Sequence, residues 1–347
     1  MRQKDLYILS GADGFLGNNL IRLLNGQDPQ ADVRALSLPA ADRRSLAGLR
    51  CQVLDCDVTA PATLAAAFDV PGNLYAHIYV IHAAGIIDIS SRPNPRLQQV
   101  NVEGTRNMLR AAETLNAAGA APVRFVEVSS VHAIPELPRG TAMTEVEHFD
   151  PDSVTGQYAK SKAAAAELVV EAAERGLDAV IVHPAGILGP HNYSPENMKE
   201  LFRVVAGGRL RLSVPGGYNF ADVRDIAAGI LAACRQGRSG EKYILSGHYG
   251  TMQEIQNEVC RLTGRPPIQL LVPLALARMA APVCETYYRV RGQVPLFTSY
   301  AVQTVKTNAE FSCAKAEHEL GYKPRPLMET VADMLHWMQE QPDWRQK

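Results

Sequence analysis

Short apolar runs alternate along this chain with longer stretches in which apolar residues recur every three or four positions. Leu6 to Ser10 reads as a buried strand, and Leu20, Ile21, Leu23 and Leu24 follow at helical spacing. Further strands are expected at Val33 to Leu38, Val53 to Val58, Ile78 to Ile81, Val123 to Val128 and Ala179 to Val182. Helices are expected over about Ala60 to Phe68, from Asn101 to about Ala118, and through the alanine run Ala163 to Ala166. Such an alternating series predicts an α/β fold, a parallel sheet with helices on both faces.

Composition narrows the classes. The chain has 347 residues, about twice a typical domain, so two lobes are expected. With 46% hydrophobic and 20% charged residues and a formal net charge of -1, it matches ordinary globular proteins and has no general attraction for polyanions, which excludes nucleic acid as an expected partner. An apolar strand begins within a few residues of Met1, leaving no room for a signal peptide, so a cytoplasmic location is expected. Cys51, Cys56, Cys234, Cys260, Cys284 and Cys313 lack metal-site spacing and read as reduced packing residues; no metal is expected. The stretch Leu270 to Cys284 is interrupted by Pro273, Arg278 and Pro282 and is too short to span a bilayer, so it reads as a lid or interface helix.

Chemistry enters where the first strand runs into Gly11, Gly14 and Gly17, spaced GxxGxxG, and then into a helix. Glycines at a strand-to-helix turn let backbone approach a pyrophosphate, whose charge meets the N–H groups at the helix start. This is a dinucleotide fingerprint, and it makes the sheet a Rossmann-type, doubly wound one. An acid at the end of the second strand would hold both ribose hydroxyls of NAD, but Ser37 stands there. Arg43 and Arg44 follow and either meet a 2′-phosphate or are solvated charges, so the cofactor is NADP or NAD, with NADP favoured. Asp57, with Val58, stands where a carboxylate can take the adenine amino group. Ala83, Ala84 and Gly85 are small enough for a cofactor to lie against the backbone.

Tyr158 and Lys162 lie four apart on an expected helix, one turn from each other. A nearby cation favours phenolate and lowers a tyrosine's pKa, which makes the pair an acid/base unit. Alone, the pattern equally describes a half-buried tyrosine beside a solvated lysine.

Taken together, Gly11, Gly14 and Gly17, Asp57-Val58, His82-Ala83-Ala84, Asn101 with Gly104-Thr105, Ser129-Ser130, Tyr158 with Lys162, and Pro184 occur in one order. In this order the chain resembles the extended short-chain dehydrogenase/reductases, the NAD-dependent epimerase/dehydratase superfamily, over nearly its full length. Within it the chain is most similar to the dihydroflavonol 4-reductase and 3β-hydroxysteroid dehydrogenase-like branch. The resemblance implies that Tyr158 exchanges the substrate proton, that Lys162 binds the nicotinamide ribose, and that Ser130 hydrogen-bonds the reacting oxygen. It also implies that Phe15 and Leu16 offer N–H groups to the pyrophosphate, that Pro184 and Ile187 fix the nicotinamide face, and that Ser129 and Asn101 line the cofactor. Homodimers built on the Asn101 and Tyr158 helices are implied too.

Departures set the reaction. Val131-His132 replaces the Asp-Glu pair of the sugar-nucleotide dehydratases, and His183 with Tyr218-Asn219-Phe220 replaces handles common in sugar epimerases. The expected function is an NAD(P)-dependent oxidoreductase acting on a carbonyl or secondary alcohol of a small, fairly apolar molecule. The rivals are a sugar epimerase with a tightly held cofactor and a non-catalytic dinucleotide-binding regulator. Residues 1–190, with a return at about 213–247, would form the cofactor domain; about 191–212 and 248–347 would form a smaller, mixed C-terminal substrate lobe. Tyr193, Met198, Phe202, Tyr287, Tyr288 and Phe297 either line an apolar pocket or are plain core. His132, His183 and Tyr193 are the candidate substrate residues, His132 being either a substrate contact or a loop histidine tied to backbone.

Overall fold

Alternation of buried side chains between two faces builds the main sheet. In β1 (Lys4–Ser10), Leu6 and Ile8 enter one core and Tyr7 and Leu9 the other, so both faces are covered and the strand is apolar from Leu6 to Leu9. The computed structural model describes residues 3–72, 74–88, 94–194, 197–279, 307–342 and 344. Seven parallel strands lie in the spatial order β3 (Gln52–Asp55), β2 (Asp32–Ser37), β1, β4 (Tyr75–His82), β5 (Val123–Val128), β6 (Asp178–Pro184) and β10 (Lys242–Leu245). Chain order reverses between β1 and β4, and a crevice for a ligand opens at the carboxyl ends beside such a reversal.

Helices α1 (Phe15–Gln27) and α7 (Val223–Gln236) cover one face, and α4 (Gly104–Ala117) and α5 (Gln157–Glu174) the other. Leu20, Ile21 and Leu24 of α1 are fully buried, each contributing about 2 kcal/mol of transfer free energy. Gly104 has a packing reason: a Cβ there would stand 2.8 Å from Val58 Cγ2, so glycine lets α4 close on the strand-end loop.

Three local expectations change. The helix expected at Ala60 to Phe68 begins as a 3-10 turn, Pro61–Leu64, before the single turn α2 (Ala65–Phe68). Strand β3 stops at Asp55, which leaves Asp57 in a turn where its Oδ1 accepts from Thr59 N and Oγ1. The helix opening at Asn101 instead starts with α3 (Pro95–Leu97) and a π-turn, Gln98–Glu103, that buries Asn101.

A second, mixed sheet holds β7 (Gly186–Leu188), β9 (Gly217–Asp222) and β11 (His248–Thr251), with β9 central, parallel to β7 and antiparallel to β11. β8 (Leu212–Ser213) pairs with β12 (Leu270–Leu271). Helices α6 (Asn197–Ala206), α8 (Met252–Leu262) and Leu327–Glu340 enclose a third core around Phe202, Tyr218, Phe220, Ile255 and Trp337. A capping box of Thr251 and Glu254 starts α8. The apolar stretch from Leu270 becomes β12 and a helical turn at 274–279, with Leu276 and Met279 exposed. Cys284, Tyr287, Tyr288 and Phe297 lie outside the described residues. Among the described residues no helix is long and apolar enough to cross a membrane.

Candidate active site

The glycine turn is built by contacts that admit no side chain. Gly11 has φ +66, and a Cβ on it would sit 2.8 Å from Ala84 N and 2.9 Å from Ala83 O. At Gly17 the same atom would fall 2.2 Å from Gly11 O. Gly14 caps α1 without a side-chain hydrogen bond, leaving the first-turn N–H groups of Phe15 and Leu16 without a side-chain cap. Behind the turn, Ser10 Oγ meets His82 Nδ1 at 2.6 Å and accepts from Ala84 N at 3.2 Å, while His82 Nε2 meets Thr105 Oγ1 at 3.1 Å. His82 is thus a strut joining β1, β4 and α4, and burial pushes its pKa down to about 3.

At the adenosine end, Ser37 is buried at the tip of β2, and its Oγ accepts from Arg43 Nε at 3.3 Å. Arg43 also donates to Leu38 O and pairs with the Asp55 carboxylate. Arg44 turns away to Asp42. Of the two arginines, Arg43 is the one against Ser37. Asp57 and Val58 lie just past β3, where Val58 O accepts from Asn107 Nδ2.

Ala83, Ala84 and Gly85 carry β4 past the glycine turn. Asn101 grips the loop there, accepting from Ile86 N at 2.8 Å and donating to Ile86 O and Ser161 Oγ. A Cβ on Gly85 would stand 3.3 Å from Asn101 Oδ1 and 3.6 Å from Lys162 Nζ, so the small residue keeps space open beside the lysine.

Ser129 and Ser130 end β5. Ser130 Oγ accepts from His132 N at 3.2 Å and lies beside the Tyr158 phenol; Ser129 Oγ is buried with no hydrogen-bond partner among the described residues. Lys162, one turn along α5 from Tyr158, is buried and donates to Val128 O at 2.8 Å, with Glu127 Oε1 at 3.5 Å. The expected lowering of the tyrosine pKa does not occur. Burial holds the Tyr158 phenol above its ordinary value, the Ser130 hydrogen bond opposes this, and the charge of Glu127 adds to it.

Of the candidate substrate residues, His132 stands at the tyrosine. Its ring is edge-on to Tyr158 at 5.9 Å and stacked on Tyr218 at 6.0 Å, with Tyr218 Oη 3.3 Å from Nε2. Burial pushes His132 down to about 4, so the imidazole is neutral at physiological pH rather than titrating near its ordinary value. His183 is placed differently from the sequence expectation. It is fully buried beneath Ser130, with Nδ1 3.0 Å from Ser130 O and its ring against Phe149, so it supports the serine and reaches no substrate. Tyr193 packs edge-on to Trp337 at 5.4 Å in the third core. Pro184 ends β6 in register with Leu245, and Ile187 is paired with Ala221 in the second sheet.

Sequence reasoning passed over Glu127 and Trp337. Glu127 carried a signal, a lone carboxylate inside the apolar run Val126 to Val128. Trp337 carried none, since its neighbours are joined to it only by the tertiary fold.

The residues fit a dinucleotide: a glycine cradle that side chains would fill, uncapped N–H groups, a cation at the serine ending β2, and a buried Ser129 hydroxyl with no partner among the described residues. Comparison with known proteins agrees. The family model described as "NAD dependent epimerase/dehydratase family" matches residues 7–246. The chain is similar to "Sterol demethylase protein B" of Methylococcus capsulatus, 29% identical, covering 96% of this chain and 98% of the relative. It is similar to "3 beta-hydroxysteroid dehydrogenase type 7" of Homo sapiens, 28% identical over 93% of this chain and 92% of that one. The solved structure of gox2253 superposes with a TM-score of 0.79 at 29% identity, covering 97% of this chain and 98% of the other.

Proposed function

The chain belongs to the NAD-dependent epimerase/dehydratase family, and from that premise we propose that it interconverts a carbonyl and a secondary alcohol on an apolar, ring-built substrate, with Tyr158 carrying the proton and NADP as preferred cofactor. One observation carries the reading. The Tyr158 phenol lies beside Ser130, just past the end of β5, its ring is edge-on to His132, and Lys162 is buried one helical turn along α5.

A bound nicotinamide would supply or accept the hydride, and the chain's own groups handle the proton and the oxygen. With Ser130 beside Tyr158, two hydroxyl donors would hold a substrate oxygen and stabilise negative charge developing on it. Tyr158 then gives its phenolic proton to that oxygen in reduction, or takes it back in oxidation. Its raised pKa suits the first role, since the phenol stays protonated in the working range. His132, neutral and stacked on Tyr218, offers a polar edge within an aromatic wall. Glycine-turn N–H groups hold the pyrophosphate, and Arg43 at Ser37 meets the 2′-phosphate.

The substrate side is the lobe formed by about 191–212 and 248–347. Tyr193 and Trp337 of that lobe pack with Tyr218 and Phe220 of the return segment in one largely buried aromatic cluster. Two relatives carry "sterol" and "3 beta-hydroxysteroid" in their names, and a flat polycyclic alcohol suits such walls.

The test is a panel containing a 3β-hydroxysteroid with its 3-ketone, a dihydroflavonol and UDP-glucose, each with NADP(H) and NAD(H), followed by absorbance of reduced nicotinamide. The reading expects net cofactor turnover with the steroid pair. Conversion of UDP-glucose with no net change in nicotinamide would replace it with the epimerase.

A further inference from the structure

Glu127 sits in the middle of the sheet with no exposed surface. Its Oε1 lies 3.5 Å from Lys162 Nζ, and its Oε2 is buried with no hydrogen-bond partner among the described residues. A buried carboxylate costs several kcal/mol of desolvation unless a charge faces it, so its placement beneath the lysine needs a reason. The titratable groups around it are few. Lys162 and Tyr158 come from α5. His82 is its cross-strand partner on β4 and is held neutral, down to about 3; His183 on β6 is also held neutral, down to about 4. Helix α4, packed over the same strand, brings the apolar Met108 and Ala112 to this core. Among the described residues Lys162 is therefore the one cation within bonding reach of Glu127, and Glu127 the one carboxylate in reach of Lys162.

We propose that Glu127 is the internal counter-ion of Lys162, a positioning residue that holds the ammonium against strand β5 and, when ionised, keeps Tyr158 in its protonated, proton-donating form. The inference deepens the reading of Tyr158 as the acid/base group and rests on it for its functional meaning. Its logic is electrostatic. A lone ammonium one turn away would favour phenolate; a carboxylate 3.5 Å from that ammonium offsets much of its field, so the phenol is left to burial, which favours the neutral form. Burial pushes Glu127 up to about 7, with the attraction of Lys162 offsetting only part of the cost, so the counter-charge appears as pH rises through neutrality. The site then resists losing the Tyr158 proton as the solution becomes alkaline, which biases it toward donating to a carbonyl.

The test needs neither substrate nor cofactor. Carbon-13 NMR of the ligand-free chain, labelled at glutamate Cδ and tyrosine Cζ, follows both groups during a pH titration, with Glu127→Gln and Tyr158→Phe assigning the resonances. Three results are expected: a Glu127 midpoint well above the ordinary glutamate range, a further rise of that midpoint in Lys162→Met, and a Tyr158 midpoint lower by about one pH unit in Glu127→Gln. Should Glu127→Gln fold poorly, Glu127→Asp supplies the assignment, and the first two readings decide. A Glu127 resonance that titrates at the ordinary value, or one unmoved by Lys162→Met, overturns the proposal. So does a Tyr158 midpoint unchanged in a folded Glu127→Gln. Because these readings are taken without turnover, they stand apart from the activity of Tyr158→Phe, and either claim can fail alone.

Discussion

Arg43→Ala tests the cofactor assignment, and its effect can be sized from the structure. The guanidinium reaches Ser37 Oγ, Leu38 O and the Asp55 carboxylate, and its side chain is 34% exposed. A charged hydrogen bond to phosphate is worth about 1.5–3 kcal/mol when enclosed. One-third exposure screens it, and Asp55 already occupies part of the guanidinium, so the value falls to the bottom of that range and below, about 1–2 kcal/mol. Loss of NADPH affinity should then be roughly 5- to 30-fold, while NADH, which lacks the 2′-phosphate, should change less than about twofold. Asp55→Asn should act in the opposite direction and tighten NADPH, because it frees the guanidinium. Isothermal titration of both cofactors to each variant at fixed ionic strength reads this directly. Equal losses for NADPH and NADH in Arg43→Ala would refute the 2′-phosphate contact and leave Arg43 as a loop support.

Gly17→Ala places a Cβ 2.2 Å from Gly11 O, so dinucleotide binding should be abolished and the melting temperature should fall; binding within about tenfold of wild type would mean that the turn is not the pyrophosphate cradle. Acid stability follows from the buried histidines. Folded-state values of about 3 for His82 and about 4 for His132 and His183 lie below the unfolded value, so their contribution is complete above about pH 6.5 and is lost as pH falls, each by roughly 1.4 kcal/mol per unit. Glu127, raised to about 7, has the opposite sign, with stability full below about pH 4.5 and lost as pH rises to 7, so it offsets one histidine between those limits. Urea unfolding should therefore show stability falling gently from pH 6.5 to 4.5 and faster below, and Glu127→Gln should steepen the upper part; a flat profile down to pH 4 would contradict the buried neutral histidines. A homodimer is expected in light scattering at micromolar concentration, paired through the outer faces of α4 and α5. Ala163, Ala165 and Ala166 are already buried within the protomer, so substitutions at outward residues such as Arg110 should dissociate it, and a monomeric wild type removes the expectation.

Much of the sheet was legible because its central strands carry continuous apolar runs, Leu6 to Leu9, Ile78 to Ile81 and Ala179 to Val182, and the crossover helices keep a helical period. The glycine turn was legible for a related reason, since only a residue without Cβ fits at Gly11 and Gly17. What the sequence concealed depends on direction and depth. Nothing in the order His183-Pro184 says that the imidazole turns under Ser130 instead of toward a ligand. Lys162 was read correctly as one helical turn from Tyr158, but its charge is directed at Val128 O and Glu127, and burial rather than the lysine governs the phenol. The π-turn at Gln98–Glu103 was unreadable because a helical period of apolar residues does not reveal one inserted residue. The second sheet is not legible in the sequence, since β7 and β11 are short and meet β9 only through tertiary contacts.

The central claim is that Tyr158 moves the proton at a site where Ser130 holds the reacting oxygen. Tyr158→Phe removes that proton and nothing else of comparable size, and the ring keeps its place against His132. The decisive measurement is single-turnover hydride transfer between NADPH and the 3-ketosteroid in wild type and Tyr158→Phe, with NADPH affinity measured alongside. The account predicts a rate lower by about 10²-fold or more, with cofactor affinity within about twofold. A folded Tyr158→Phe that transfers hydride at close to the wild-type rate would contradict it.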